Sequence, residues 1–334
     1  MICHKIRIIL AALVALPLMA ADQKLLSMLP ANTEVVMGIN VRAILDSGVG
    51  KEMMKSGSAQ KSELQEFTTL TGLDPQKDIH EVVLASSEFA RGTGTNGSKG
   101  VAIISGNFQP ARIGQAILSK GGSKTTYAGR DLWYPEIKKE GDKDALAFLD
   151  NQLLVAGTEA EVKHFLDGGT GNVPAALRSK AASVGSRYDI WVVSMVSPSK
   201  LAGSMDSGSG PAEQAMGPLQ GDMFKKIKSS QGGIKFGPRM RLGVEMEAET
   251  VEDAAALLGV LQFFKSMMGG AGPTRDAGAP AEFTKMLSSV QMRTEASSVL
   301  LDLEVAEADV LNIVRSAATA ALKSATGDEA RVVQ

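Results

Sequence analysis

Ser197 and Lys200 have the spacing S-x-x-K, with which penicillin-binding enzymes place a serine nucleophile at the start of a helix. Those enzymes also need a K-T-G strand and an S-D-N element. The sequence contains neither, and KTT at 124–126 has threonine where glycine would let a substrate approach. Ser197 followed by Pro198 also fits a helix cap, in which the serine accepts an amide hydrogen bond. We therefore predict no catalytic residue and keep Ser197 with Lys200 as an alternative.

Other patterns that could carry chemistry are incomplete. The segment Gly92–Gly97 matches G-x-G-x-x-G, but it leads into a predicted strand and not into the helix N-terminus that binds a pyrophosphate. After His4 the sequence holds only His80 and His164, which are too few for a histidine-rich metal cage. A pair of carboxylates, as in glycosidases, leaves no spacing to detect and stays open. The sequence thus predicts neither a cofactor nor a metal ion.

Aromatic residues are scarce, at 4 % of the chain, and three of them fall on one predicted hairpin. These are Tyr127, Trp133 and Tyr134, and we predict that they contribute to a binding surface. Trp133 and Tyr134 are adjacent in a strand and point to opposite faces, so at least one of them packs into the core. Three further aromatic residues are predicted to be core residues: Trp191, Phe263 and Phe264.

The N-terminal segment has the order of a secretory signal peptide. Three basic residues precede an apolar stretch, Ile8–Met19, which is followed by the small pair Ala20 and Ala21. The apolar stretch is shorter than the roughly 20 residues that a membrane-spanning helix needs. We expect cleavage near Ala20 or Ala21, removal of residues 1–21, and a periplasmic or secreted protein with no integral membrane segment.

Composition narrows the class of protein. Of the 334 residues, 44 % are apolar and 22 % are charged, which is average for a globular protein. The net charge of -2 gives no field that would attract nucleic acid, so we expect no nucleic-acid partner. The single cysteine, Cys3, lies in the predicted signal peptide. The mature chain is therefore expected to have neither a disulfide nor a catalytic thiol.

The elements that position these residues repeat a pattern of strand, helix and hairpin. Apolar runs at Thr33–Val41 and Tyr188–Val196 each pass directly into a helical segment. A hairpin followed by a helix then recurs at Ala145–Leu166, Ile234–Met268 and Gln291–Leu322. These patterns predict an α+β fold of two similar domains, each a mostly antiparallel sheet backed by helices.

The sequence also predicts where the domains begin and end. The breaker Asp167–Asn172 separates a first domain at 22–172 from a second at 173–323, with a flexible tail at 324–334. Helices are predicted over three segments that the structure can test: Arg42–Lys55, Glu63–Thr71 and Gly217–Lys228. Two loops, together with exposed strand edges, are predicted to contact a partner: Phe89–Lys99 and Gly203–Gly221.

Two segments near the start of the chain carry a resemblance. LLSMLPANTEVVMGINVRAIL (Leu25–Leu45) and LTGLDPQKDIHEVVLASS (Leu70–Ser87) resemble the opening of uncharacterised exported proteins of Gram-negative bacteria. In those proteins a Leu-Pro, a strand and a helix precede Thr-Gly-x-Asp-Pro and another strand. The resemblance implies a periplasmic protein and assigns no catalytic residue.

Export and incomplete catalytic motifs together favour a non-enzymatic protein. We expect it to bind a protein, a peptide or an envelope component in the periplasm. The alternative is a secreted hydrolase that uses Ser197 and Lys200 or a pair of carboxylates. The sequence leaves the oligomeric state open.

Overall fold

The computed structural model describes most of the chain: residues 23–56, 60–88, 99–135, 143–198, 222–269, 286, 288–313 and 315–316. Several sequence predictions fall outside these residues: the signal peptide, the Gly92–Gly97 motif, the loop Phe89–Lys99 except for Lys99, Lys200, the loop Gly203–Gly221, the end of the unit Gln291–Leu322 beyond residue 316, and the tail at 324–334.

The strands of the described chain form one continuous antiparallel sheet. In chain order they are β1 (Val35–Asn40), β2 (Ile79–Glu88), β3 (Lys99–Gly106), β4 (Ser123–Tyr127), β5 (Arg130–Tyr134), β6 (Asp144–Phe148), β7 (Leu153–Thr158), β8 (Ile190–Ser194), β9 (Ile227–Lys235), β10 (Arg239–Ala248), β11 (Gln291–Glu295) and β12 (Ser298–Ala306). Their order across the sheet is β11-β12-β10-β9-β8-β1-β2-β3-β7-β6-β5-β4. The pair β1–β8 therefore joins the strands of the first half of the chain to those of the second.

Helices connect these strands and cover parts of both faces. Those with described bounds are α1 (Gln23–Ser27), α2 (Val41–Asp46), α3 (Gly48–Ser56), α4 (Gln60–Thr71), α5 (Pro75–Asp78), α6 (Pro110–Ser119), α7 (Glu159–Leu166), α8 (Ala175–Gly185), α9 (Asp222–Lys225) and α10 (Val251–Gly269). Within the described residues, no helix is both long enough and apolar enough to cross a membrane.

The largest core lies on one side of the sheet, here called face A. Alternate residues of the strands point to this face and meet α1, α7 and α8. Leu26 of α1 and Ile103 of β3 are fully buried there, together with Leu177 of α8. Trp191 of β8 belongs to the same core. One core thus draws residues from both halves of the chain.

Two smaller cores lie on the opposite side, face B. Under α6, Ile113 and Ile117 pack with Trp133 of β5. In the second half, Phe224 of α9 and Leu257 of α10 pack among residues of β9, β10 and β12. Between these two cores the centre of face B carries the trough described below.

The predicted α+β fold with a mostly antiparallel sheet is confirmed. Within it, two helix predictions need correction. The segment Arg42–Lys55 is two helices, because the chain breaks at Ser47, whose hydroxyl accepts the amide hydrogen of Gly50 at 2.9 Å. The helix over Gly217–Lys228 ends at Lys225, because Ile227 is the first residue of β9 and is buried in the core formed with α10.

The assignment of Phe263 to the core is also wrong. Its side chain is 64 % exposed, whereas Leu257 on the same helix is 1 % exposed. Helix α10 is apolar around nearly its whole circumference, with the sequence VEDAAALLGVLQFFKSMMG. A helix of that kind gives no periodic signal for the side that packs against the sheet.

Candidate binding surface

The three aromatic residues predicted as a binding surface lie on the hairpin β4–β5, at one edge of the sheet. Trp133 is 8 % exposed and Tyr134 is 6 % exposed, and they pack into different cores on opposite faces of β5. Tyr127 is half-buried. The structure therefore leaves neither member of the adjacent pair on the surface.

Hydrogen bonds join Tyr134 to the first residue of α7 and Tyr127 to the residue that follows α7. The Tyr134 hydroxyl donates to Glu159 Oε1 at 3.0 Å, and Lys163 Nζ donates to the same oxygen at 2.6 Å. The Tyr127 hydroxyl donates to Asp167 Oδ2 at 2.7 Å. The bond from Lys163 lowers the pKa of Glu159, and the bond to Asp167 raises the pKa of Tyr127. These contacts stabilise the packing of α7 against the hairpin.

Replacing Glu159 by glutamine tests this set of contacts. We expect Glu159→Gln to lower the free energy of unfolding by about 1 kcal/mol at neutral pH. The folded-state pKa of Glu159 is lowered, so its contribution is present above its unfolded pKa and is lost as the pH falls through its folded pKa. Urea unfolding of the unmodified protein and of Glu159→Gln, from neutral pH down through the folded-state pKa of Glu159, measures the difference in stability. A difference that does not shrink on acidification would contradict the assignment.

The structure describes only one residue of the alternative nucleophile pair. Ser197 is half-buried, three residues after the end of β8, and a helical residue, Pro198, follows it. Lys200 lies outside the described residues. The pairing of Ser197 with Lys200 therefore stays a prediction.

Two carboxylates do lie side by side on face A of β10. Glu245 accepts hydrogen bonds from Gln231 Nε2 at 2.6 Å and from the Ser298 hydroxyl at 3.3 Å. Glu247 accepts from Lys180 Nζ at 2.9 Å, and this bond contributes most to lowering the pKa of Glu247. A general acid needs the opposite shift, so Glu247 is poorly suited to that role in glycoside hydrolysis. Among the described residues, no three His, Cys, Asp or Glu side chains are placed to hold a metal ion.

The candidate site is an open cavity of about 220 Å³ on face B, here called the central trough. Cross-strand pairing places its floor residues in two rows. One row is Met37, Val192, Gly232 and Val244, and the other is Ile190, Ile234 and Leu242. Because side chains alternate along a strand, these residues of β1, β8, β9 and β10 all point to face B.

Comparisons of the chain with family models, curated proteins and solved structures find no match. The function is therefore inferred from the chemistry of the central trough. Two lining residues, Trp191 and Gln231, direct their side chains to face A. Among the lining side chains on face B, only Ser230 carries a hydrogen-bonding group, and Gly232 adds no side chain to the floor. Leu242, at 39 % exposed, is accessible from solvent. The trough is thus suited to hold an apolar group and not to transfer a proton.

On face A, aromatic rings pack closely against the strands that form the trough floor. The indole ring of Trp191 lies across Gly38 of the neighbouring strand, where a β-carbon would overlap it. The ring of Tyr188 lies in the same way across Gly233 and Gly243. These two rings therefore occupy face A of the strands, and the side chains of Met37 and Val192 point to face B.

The sequence held one signal for the trough. VVMGIN in β1 and IWVVS in β8 are apolar at neighbouring positions and not only at alternate ones, which is typical of a strand with two apolar faces. It contained no signal that β1 and β8 pair. The trough depends on that pairing, and it therefore could not be predicted.

Proposed function

We propose that the chain is an exported, non-enzymatic protein that binds an envelope component through its hydrocarbon chain, in the central trough. The observation that carries the proposal is the lining of the trough by apolar side chains from four strands. Burying apolar surface contributes roughly 25 cal/mol for each Å² removed from water. A hydrocarbon chain gains from this burial without losing any hydrogen bond.

The same geometry disfavours an extended peptide in the trough. β8, β9 and β10 each pair with a strand on both sides, so their backbone groups are already used in the sheet. A peptide across the floor would bury its own N–H and C=O groups without partners, which costs free energy. Binding of a protein or a peptide, the other partners expected from the sequence, is an outcome that the experiment below distinguishes.

Export to the periplasm belongs to this proposal. It is supported by the basic, apolar and small residues of 1–21 in that order, with cleavage near Ala20 or Ala21. The resemblance of Leu25–Leu45 and Leu70–Ser87 to exported proteins of Gram-negative bacteria supports the same location. An envelope component is the ligand that such a location makes available.

A duplication of two similar domains is also proposed, and the strand order supports it. Counting outward from the centre of the sheet, the first half runs β1-β2-β3-β7-β6 and the second runs β8-β9-β10-β12-β11. In each half a helix on face B follows the third strand, α6 in one and α10 in the other. The hairpin β4–β5 is then an addition to the first half.

A photoreactive palmitic acid tests the proposed ligand class. We expect it to label the mature periplasmic protein at residues of the central trough, and Leu242→Glu to reduce labelling about tenfold by placing a charge there. Val251→Glu is the matched control, because Val251 is 57 % exposed and lies outside the trough. Circular dichroism confirms that both variants fold.

Three results would contradict the proposal. Labelling that Leu242→Glu leaves unchanged would place the fatty acid elsewhere. A photo-crosslinker at position 242 that captures a polypeptide and not a lipid would replace the hydrocarbon ligand by a protein or a peptide. Labelling of Ser197 by a serine-hydrolase probe, abolished in Ser197→Ala, would establish the hydrolase alternative.

A further inference from the structure

β4 is an edge strand with backbone groups that have no neighbour in the described sheet. A two-residue turn joins it to β5, and Ala128 and Gly129 both have positive φ, at 47° and 73°. In such a hairpin the residues flanking the turn, Tyr127 and Arg130, form a hydrogen-bonded pair, and bonded and non-bonded pairs alternate from there. Thr126 and Lys124 therefore direct their backbone N–H and C=O groups outward.

We infer that this edge pairs with the same edge of a second copy of the chain. In the antiparallel register centred on Thr125, Lys124 lies opposite the partner's Thr126, and Thr126 lies opposite the partner's Lys124. Both residues then exchange both of their outward backbone bonds with the partner. Thr125 lies opposite the partner's Thr125, and threonine pairs are favourable at such positions. The edge is thus complementary to itself.

The charge of Lys124 does not oppose this pairing. Its Nζ donates to Asp131 Oδ2 at 3.1 Å and lies 5.2 Å from the centre of the Trp133 ring, so the ammonium group is held on its own copy. Leu118, at the end of α6 that leads into β4, is 49 % exposed. It lies on the side of α6 away from Arg112 and Lys120, which bind α4, and adds apolar surface beside the edge.

The other edge of the sheet lacks this complementarity. The pairing of Glu295 with Ser298 beside the β11–β12 turn directs the backbone groups of Met292 and Thr294 outward. The equivalent register would place Arg293 opposite the partner's Arg293, so two long side chains, each bound to its own Glu295 and Asp302, would stand where β4 has a threonine pair. The pairing is therefore specific to β4 and closes as a twofold dimer.

Cysteine substitution in the mature chain, which lacks cysteine after removal of 1–21, tests the register. We expect Thr125→Cys to form a disulfide-linked dimer under mild oxidation, because opposed residues of a non-bonded pair have Cα atoms about 4.5 Å apart. Thr126→Cys is the matched control on the same exposed strand. In this register its Cα atoms are roughly 8 to 9 Å apart, too far for a disulfide.

Sedimentation of the mature protein measures the pairing without a crosslink. We expect a monomer–dimer equilibrium in the micromolar range, abolished by Thr126→Pro, which removes an outward N–H at an edge where proline is tolerated. Thr294→Pro at the other edge should leave it unchanged. A protein that stays monomeric, equal crosslinking of Thr125→Cys and Thr126→Cys, or open-ended assemblies from β4 with β11 would each overturn the inference. The fatty-acid experiment does not depend on any of these results.

Discussion

Replacing Trp191 by alanine is expected to lower the free energy of unfolding by about 3–5 kcal/mol. The side chain is 2 % exposed and belongs to the large face A core. Its removal leaves a cavity at the pair β1–β8, which joins the two halves of the sheet. The neighbouring Gly38 has no side chain that could refill the space.

Urea unfolding of the purified protein measures this loss. Phe263→Ala is the matched control, because it removes another large aromatic side chain, but one that is 64 % exposed. We expect that control to change the free energy of unfolding by less than about 0.5 kcal/mol. Equal effects of the two substitutions would show that Trp191 is not a core residue.

Local features of the fold could be predicted from the sequence because each depends on a few neighbouring residues. Thr158 accepts the amide hydrogen of Glu161 at 3.4 Å and caps α7, which is typical of a threonine followed three residues later by glutamate. Thr250 accepts the amide hydrogen of Asp253 at 3.0 Å at the start of α10. The turn containing Gly129 fixes the hairpin β4–β5 in the same way.

Features that depend on distant residues could not be predicted. Val36 lies opposite Val193, more than 150 residues away, and no local signal specifies that pair. The burial of both Trp133 and Tyr134 follows from α6 covering one face of β5 while α7 and its neighbours cover the other. The site was missed for the same reason, since Met37 and Leu242 become neighbours of one trough only through β8 and β9.

The second large effect is expected from Phe224→Ala, which should also lower the free energy of unfolding by about 3–5 kcal/mol. Phe224 is 2 % exposed and holds the short helix α9 in a core with Met246, Leu257 and Val299. This core is small, so a cavity in it weakens the attachment of α9 and α10 to face B together.

The number of transitions in the urea unfolding curve shows whether the two halves of the sheet unfold together. β8 pairs with β1 on one side and with β9 on the other, so neither half can lose its sheet without exposing the other. We therefore expect one cooperative transition, which Phe224→Ala and Trp191→Ala both shift to lower urea concentration. If Phe224→Ala instead splits off an early transition while the near-UV signal of Trp133, which is buried in the first half, persists, the second half unfolds by itself. The β1–β8 pair then contributes less to stability than its position at the centre of the sheet implies.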